Sequence, residues 1–337
     1  GYNYKWFSEE YSTVSVEEEF HLPIINPATG KPSRTFTQAG KKDGIVEYNP
    51  TGKRYLLEHK TCSEDITDPN ATYWRRLTID SQVSCYVLAN WQEGVKLDGT
   101  LYDVIRKPAI RPKKLSKGER QQVVAVGTYF GTKMSMATRE YLQANESENG
   151  ELFEARLFSN TLDEPERYFQ RRIIPRMDSD VLEYAHDCWE TANAIRDARH
   201  SGHFFRNTGA CVMYGTACEF LGICSGHDSF DTDKWKQRPR QHEELERIDS
   251  TKKDVLTFSS MQCFKTCRRK YKFRYEDGYE QVREDKDAKY FGTVMHLALK
   301  AYWNQLRPTE TINDTGTGIS SSSEASKSST SETAITS

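Results

Sequence analysis

No apolar stretch in this chain approaches the roughly 18 residues a helix needs to cross a bilayer, so nothing in it reads as a membrane span. It also lacks a basic excess. Lys and Arg number 47 against 49 Asp and Glu, a net charge of −2, so no global positive field announces nucleic acid, and any such contact must come from local patches. No secretory leader is visible, and position 1 is Gly rather than Met, which reads as a fragment or a processed chain. Eight cysteines among 337 residues are too few for a disulfide scaffold. Three of them, Cys211, Cys218 and Cys224, are grouped, which points to a metal or cluster in a reducing compartment. The length supports one or two cored domains.

What the chain does carry is concentrated between Asp43 and Tyr86. Asp43-Gly44-Ile45-Val46 and Arg54–Lys60 are β-rich runs separated by Asn49-Pro50-Thr51-Gly52, a hairpin-turn signal. Glu58 and Lys60 are two apart, so a strand puts them on one face and His59 on the other. Two acids and a lysine at this spacing can build a divalent-metal site for phosphodiester cleavage. Tyr73–Ala89 is long enough for a helix, with Gln82 and Tyr86 one turn apart.

Around this stretch, Thr13–Pro23 is a first strand and Leu101–Arg106 a further one, giving an α/β unit over 1–106. A basic run follows through Arg106, Lys107, Arg111, Lys113, Lys114, Lys117 and Arg120, read either as a solvated loop or as a phosphate-contacting surface. Residues 107–226 read as a helical flank ending in the cysteine group. Within it, Glu166–Arg172 mixes arginines with aromatics, which suits single-strand binding and equally an ordinary amphipathic segment. Residues 227–254 are charged and apolar-poor, a linker. Residues 255–305 open with Leu256–Cys267 and a basic aromatic run, Arg268–Tyr275, and end in an apolar-faced helix, Tyr290–Trp303. Residues 306–337 are Ser/Thr-rich with almost no large apolar side chain and are expected to be disordered.

In this order and setting, Asp43, Glu58-His59-Lys60 and Gln82-x-x-x-Tyr86 resemble the PD-(D/E)XK nuclease superfamily in its RecB-like exonuclease branch. Cys211, Cys218, Cys224 and Cys267, with Gly292-Thr293-Val294-Met295-His296, resemble the part of that branch that carries an iron–sulfur cluster, as in CRISPR-associated RecB-like exonucleases. The resemblance implies a restriction-endonuclease-like core, a mixed central sheet flanked by helices, with a helical flanking region. It implies a Mg²⁺- or Mn²⁺-dependent deoxyribonuclease acting as an exonuclease. Asp43, Glu58, His296 and the backbone carbonyl of His59 would hold the metal. Lys60 would position or activate the water, and Gln82 and Tyr86 would orient the lysine or the DNA backbone. A 4Fe-4S cluster would sit on Cys211, Cys218, Cys224 and Cys267. DNA is the implied partner, with a helicase or a recombination or CRISPR partner beside it, no membrane, and a cytoplasmic setting in a bacterium or phage.

The order of the pieces departs from the family pattern. Cys267 and His296 match elements that normally open the domain, yet they follow Asp43 and Glu58. Either the chain is part of a tandem array, which its Gly1 start and its tail favour, or the unit is circularly permuted and 255–305 folds back onto 1–226. Rival readings stay open. Asp43 can be a turn acid, Glu58 a solvent-facing strand acid, Lys60 an edge-strand lysine and His296 a packed core histidine. The grouped cysteines can hold zinc or be structural thiols. Cys62, Cys85, Cys188 and Cys263 read as buried small residues. The function-level alternatives are a catalytically idle DNA-binding module of this fold and a zinc-bound interaction domain.

Overall fold

The computed structural model describes residues 1–213, 215–238, 245, 253–282 and 288–307. Of the tail read above as disordered over 306–337, Leu306 is ordered, its carbonyl accepting from the Thr13 amide at 3.1 Å, and the stretch from Pro308 on lies outside the described residues; residues 1–307 form one compact unit. Its centre is a sheet built first from two hairpins. β1 (Tyr11–Ile25) turns through Asn26–Lys31 into β2 (Pro32–Tyr48). The Asn49–Gly52 turn, with Gly52 at φ +68°, leads into β3 (Lys53–Cys62). Left-handed backbone at that corner is open to glycine at little steric cost, so the turn signal in the sequence is also its cause.

The next strand, β4 (Thr100–Arg106), lies parallel to β3. A parallel neighbour requires a crossover, supplied by a short helix at Thr72–Leu77 and by α1 (Ser81–Gln92). The periodicity suggests one helix over Tyr73–Ala89; the structure breaks it at Thr78–Asp80. The Asp80 carboxylate accepts the Gln82 amide at 3.0 Å and caps α1. The carbonyls freed by the break are taken by the Arg176 guanidinium, which donates to Leu77, Thr78 and Asp80.

Between β4 and β5 (Phe169–Ile174, antiparallel to β4) the chain makes three longer helices, α2 (Lys117–Val126), α3 (Met136–Ala144) and α4 (Gly150–Asp163), and a single turn at Pro165–Tyr168. They carry their own small core of Leu115, Val123, Tyr129, Met134, Leu142 and Leu152. The strand β5 lies within a stretch that reads as mainly helical. The long helix α5 (Asp178–Ser201) returns to the sheet. β6 (Asp254–Leu256) then pairs parallel with Phe36–Gln38 of β2, followed by α6 (Phe258–Thr266) and α7 (Ala288–Gln305). In the segment read as a linker, Trp235–Gln237 pairs with Tyr279–Gln281. The outcome is the mixed α/β sheet with helices on its faces that the sequence suggests.

Each face has its own core. Leu56, Tyr102 and Val104 point into one, with α1, α5 and α6. Leu57, Leu101 and Ile105 point into the other, with Leu299 and Trp303 of α7. The arginine–aromatic run Glu166–Arg172 sends one of its arginines inside rather than to solvent. Arg171 pairs with Asp103 across β4 and β5 (3.2 Å) and with Glu9 (2.8 Å), and donates to the Tyr2 hydroxyl (2.8 Å). The Trp6 and Trp303 rings lie 4.1 and 4.8 Å from its guanidinium carbon. Burial works against the Asp103 charge, but Arg171 and His59 outweigh it and hold the carboxyl down at about 2.

Removing one partner of a buried pair leaves the other charge uncompensated. Asp103→Ala is therefore expected to lower unfolding free energy by about 3–5 kcal/mol in urea titrations. Arg167→Ala, which breaks an exposed, solvent-screened pair with Glu164, should leave it essentially unchanged.

Candidate active site

Strand geometry sorts the residues of β3 between the two cores. Glu58 and Lys60 share the face of Leu56, toward α1. The Lys60 ammonium lies 2.6 Å from Glu58 Oε1 and 3.4 Å from Asp80 Oδ2, and donates to Gln82 Oε1 at 2.8 Å. Gln82 in turn donates from Nε2 to the Tyr86 hydroxyl at 2.8 Å. The spacing of four on α1 stacks those two side chains one turn apart, and the Asp80 cap fixes where the helix begins. Burial opposes the charge on Lys60, yet Glu58 and Asp80 hold its pKa above the ordinary lysine value. The lysine is thus a fixed cation and not a base.

Glu58 is only 3% exposed, and its Oε2 has no hydrogen-bond partner. Burial, and behind it the charge of Asp43, raise its pKa to about 8, more than Lys60 pulls it down. A buried carboxylate oxygen with no donor, facing a second carboxylate, is the arrangement a cation relieves.

His59 turns to the other face. Its ring packs near Trp303, its Nδ1 lies 3.1 Å from Asp103 Oδ2, and its backbone N–H donates to Asp43 Oδ2 at 2.8 Å. Burial disfavours the imidazolium, but the hydrogen bond to and the charge of Asp103 raise the His59 pKa on balance. His59 thus braces Asp43 through its amide, and its ring is engaged elsewhere.

Asp43 sits on β2 next to Gly44. A side chain at Gly44 would bring its Cβ to 2.6 Å from the Ser15 carbonyl oxygen, so the glycine is what lets β1 approach so closely. A bulge between Thr13 and Ser15 adjusts the register, and beyond it Val16 faces Gly44 and Glu18 faces Lys42. Glu17 is thereby set across from Asp43. From α7, His296 Nδ1 lies 3.8 Å from Asp43 Oδ1. Ligand atoms of Glu17, Asp43 and His296 all fall within 4.8 Å of one another.

The structure therefore brings Glu58, Lys60, Gln82 and Tyr86 into one hydrogen-bonded chain and places His296 beside Asp43. Sequence reasoning missed Glu17, Asp80, Asp103 and Arg171. Asp80 had a readable signal, an acid directly before a helix. Asp103 and Arg171 had none, since they meet only through strand pairing.

The four cysteines lie elsewhere in the fold. Cys211, Cys218, Cys224 and Cys267 line one cavity of about 180 Å³ together with Arg206, Asn207 and Lys270. All are free thiols. The Asn207 amide donates to Cys267 Sγ at 3.4 Å, and burial pushes the Cys224 thiol up. Among the described residues no three of these sulfurs lie within 4.8 Å of one another, whereas sulfurs on one tetrahedral zinc, with Zn–S near 2.3 Å, would stand about 3.8 Å apart. Cys62, Cys85 and Cys188 are buried, and Cys263 is half-buried.

A sequence model of the PD-(D/E)XK nuclease superfamily matches residues 255–330, the stretch that carries Cys267 and His296; Asp43, Glu58 and Lys60 lie outside it. The match supports that superfamily, and the mixed sheet flanked by helices is consistent with its restriction-endonuclease-like fold. No curated protein and no solved structure matches the chain.

The raised Glu58 pKa carries a pH signature. The folded state holds this proton more tightly than the unfolded chain does, so the contribution is fully present below the unfolded value of 4.5 and is lost as pH rises through about 8. With divalent ions chelated, stability should fall across that window by at most about 1.4 kcal/mol per pH unit from this one group. Glu58→Gln should flatten the fall, leaving a smaller one of the same sign from His59, whose pKa is also raised. Urea midpoints between pH 5 and pH 9 for the two chains decide it; parallel curves would sink the assignment.

Proposed function

We propose that the chain is a Mg²⁺- or Mn²⁺-dependent deoxyribonuclease, a RecB-like exonuclease. The observation that carries this reading is the buried, unpartnered Oε2 of Glu58 beside Asp43, next to a lysine fixed as a cation. The donor set is hard oxygen plus one imidazole, which suits Mg²⁺ or Mn²⁺. Asp43, Glu58 and His296 would hold the ion, with the His59 carbonyl a fourth candidate by resemblance. When bound, such an ion polarises the scissile phosphate and lowers the pKa of a water.

The remaining steps fall to the chain's own groups. Lys60, hydrogen-bonded to Glu58 and Gln82 and paired more loosely with Asp80 at 3.4 Å, presents a positive charge to a phosphate oxygen and has one N–H left to hold the attacking water. Gln82 fixes the lysine, and Tyr86 fixes Gln82. Burial raises the Tyr86 pKa far above its ordinary value, so its hydroxyl stays neutral. The His59 amide keeps Asp43 in one orientation, so the acid does not have to be ordered at the moment of reaction.

DNA is the proposed substrate. Between 106 and 133 stand eight basic residues against one acid, and Arg111, Lys113, Lys114, Lys117 and Lys133 are exposed. The run leaves the sheet at the end of β4, where Arg106 pairs with Cys62 of β3, two positions beyond Lys60. Lys107 lies over the Phe291 ring of α7, 5.5 Å from its centroid. A backbone-tracking surface is thus continuous with the site. We propose further that 255–305 completes the unit begun by 1–226, as a circular permutation would. This reading is supported by β6 on β2 and by Trp303 in the core under β3.

An iron–sulfur cluster on Cys211, Cys218, Cys224 and Cys267 belongs to the same proposal. Four thiols around one cavity suit it, as do the neighbouring Arg206 and Lys270, whose charge offsets that of thiolates.

Asp43→Ala, Glu58→Ala and Lys60→Ala are each expected to abolish Mn²⁺-dependent release of nucleotides from end-labelled DNA while circular dichroism stays unchanged. Undiminished cleavage by Glu58→Ala, with contaminating nuclease excluded, overturns the site. Anaerobically purified protein is expected to be brown, with iron and acid-labile sulfide that Cys218→Ala removes. Stoichiometric zinc without iron would count decisively against the cluster.

A further inference from the structure

We infer that Glu17 is a further ligand of the divalent ion, so that the centre draws a carboxylate from β1, another from β2 and an imidazole from α7. This deepens the metal-dependent reading above and rests on it. The first observation is placement: ligand atoms of Glu17, Asp43 and His296 converge within 4.8 Å. The convergence follows from the β1–β2 register, which sets Glu17 across from Asp43 once the bulge and Gly44 have let the strands close. The second is independent of that cluster. Glu58, whose pKa the charge of Asp43 helps to raise, has one buried oxygen with no hydrogen-bond donor, its other oxygen being paired with Lys60.

The surroundings of Glu17 fit a ligand. Lys41 (2.7 Å) and Lys300 (3.9 Å) both meet Oε2. A carboxylate can serve a lysine with one oxygen and a cation with the other. The ligand set would tie residues near the start of the chain to α7, so ion binding would fasten that helix to the β1–β2 hairpin.

One backbone feature makes the test sharp. Glu17 holds φ +54°, a conformation glycine adopts freely and other residues rarely. A purely structural side chain at this position should be replaceable by glycine without penalty to ion binding. The experiment is Mn²⁺ titration calorimetry on the full chain, with melting curves in the presence and absence of Mn²⁺. Glu17→Gln and Glu17→Gly are expected to weaken Mn²⁺ binding by about tenfold or more and to shrink the rise in Tm that Mn²⁺ gives the unaltered chain. Without ions, Glu17→Gly should melt no lower than the unaltered chain, which separates loss of a ligand from loss of fold. Asp43→Ala is the reference and should lose binding. Unchanged Mn²⁺ affinity in both Glu17 variants, with binding lost in Asp43→Ala, overturns this inference and leaves the metal centre standing. No Mn²⁺ binding by the unaltered chain overturns both.

Discussion

Everything at the site depends on β3 being covered from both sides. Leu56 enters one core and Leu57 the other, so the strand has no solvent face and no freedom of register. A slip of one residue would exchange the faces of Glu58 and His59, burying an imidazole where the carboxylate belongs. β2 holds the strand antiparallel on one side and β4 holds it parallel on the other. Six hydrophobic and polar positions in a row, Tyr55 to Lys60, thereby become two chemically distinct faces. Glu58 and Lys60 meet α1, and His59 meets Asp103 and α7. The two faces are joined through a single backbone bond, from the His59 amide to Asp43.

That division also separates the charges by task. On the α7 side the ionised groups pair with one another, although His59 Nδ1, 3.1 Å from Asp103 Oδ2, makes no well-formed hydrogen bond. Asp103 has Arg171, His59 and the Tyr2 hydroxyl, and Arg171 has Glu9 as well. On the α1 side the balance is incomplete. Asp43 and Glu58 repel, Lys60 compensates one of them, and an oxygen of Glu58 is left bare. That gap is costly, because each unpaired buried oxygen costs about 1–3 kcal/mol.

The parts of this site legible in the sequence are those whose geometry is set within one element. A step of two on a strand puts Glu58 with Lys60, and a step of four on a helix stacks Gln82 on Tyr86. The Asn49–Gly52 turn brings Asp43 toward Glu58. Glu17 was not legible because it stands in a run of three glutamates on a strand, and which of them faces Asp43 depends on a bulge no local rule predicts. Asp103 and Arg171 are 68 residues apart and meet only once β4 and β5 have paired. The helix break at Thr78–Asp80 was hidden because the apolar period runs across it, while the cap and the Arg176 guanidinium decide the outcome. The sequence identified Gly292–His296 as a family-like helix but could not say which surface it would cover.

The reason the 255–305 segment finds its place lies in what the first strands leave open. β3 pairs only with Gly44–Tyr48 of β2. The earlier half of β2 has β1 on one edge and nothing from β3 on the other, and an unpaired edge next to a buried core is unfavourable. β6 occupies it at Phe36–Gln38. From that anchor the described parts of the segment go to opposite faces. Met261 and Phe264 of α6 enter the core shared with α1 and α5, and Leu299 and Trp303 of α7 enter the core under Leu57. A stretch of about fifty residues has too little interior to fold alone, but here each of its elements fills a place the sheet cannot fill by itself. Trp303 is fully buried beside the His59 ring. It fixes α7 at the depth where His296, about two turns before it, stands next to Asp43.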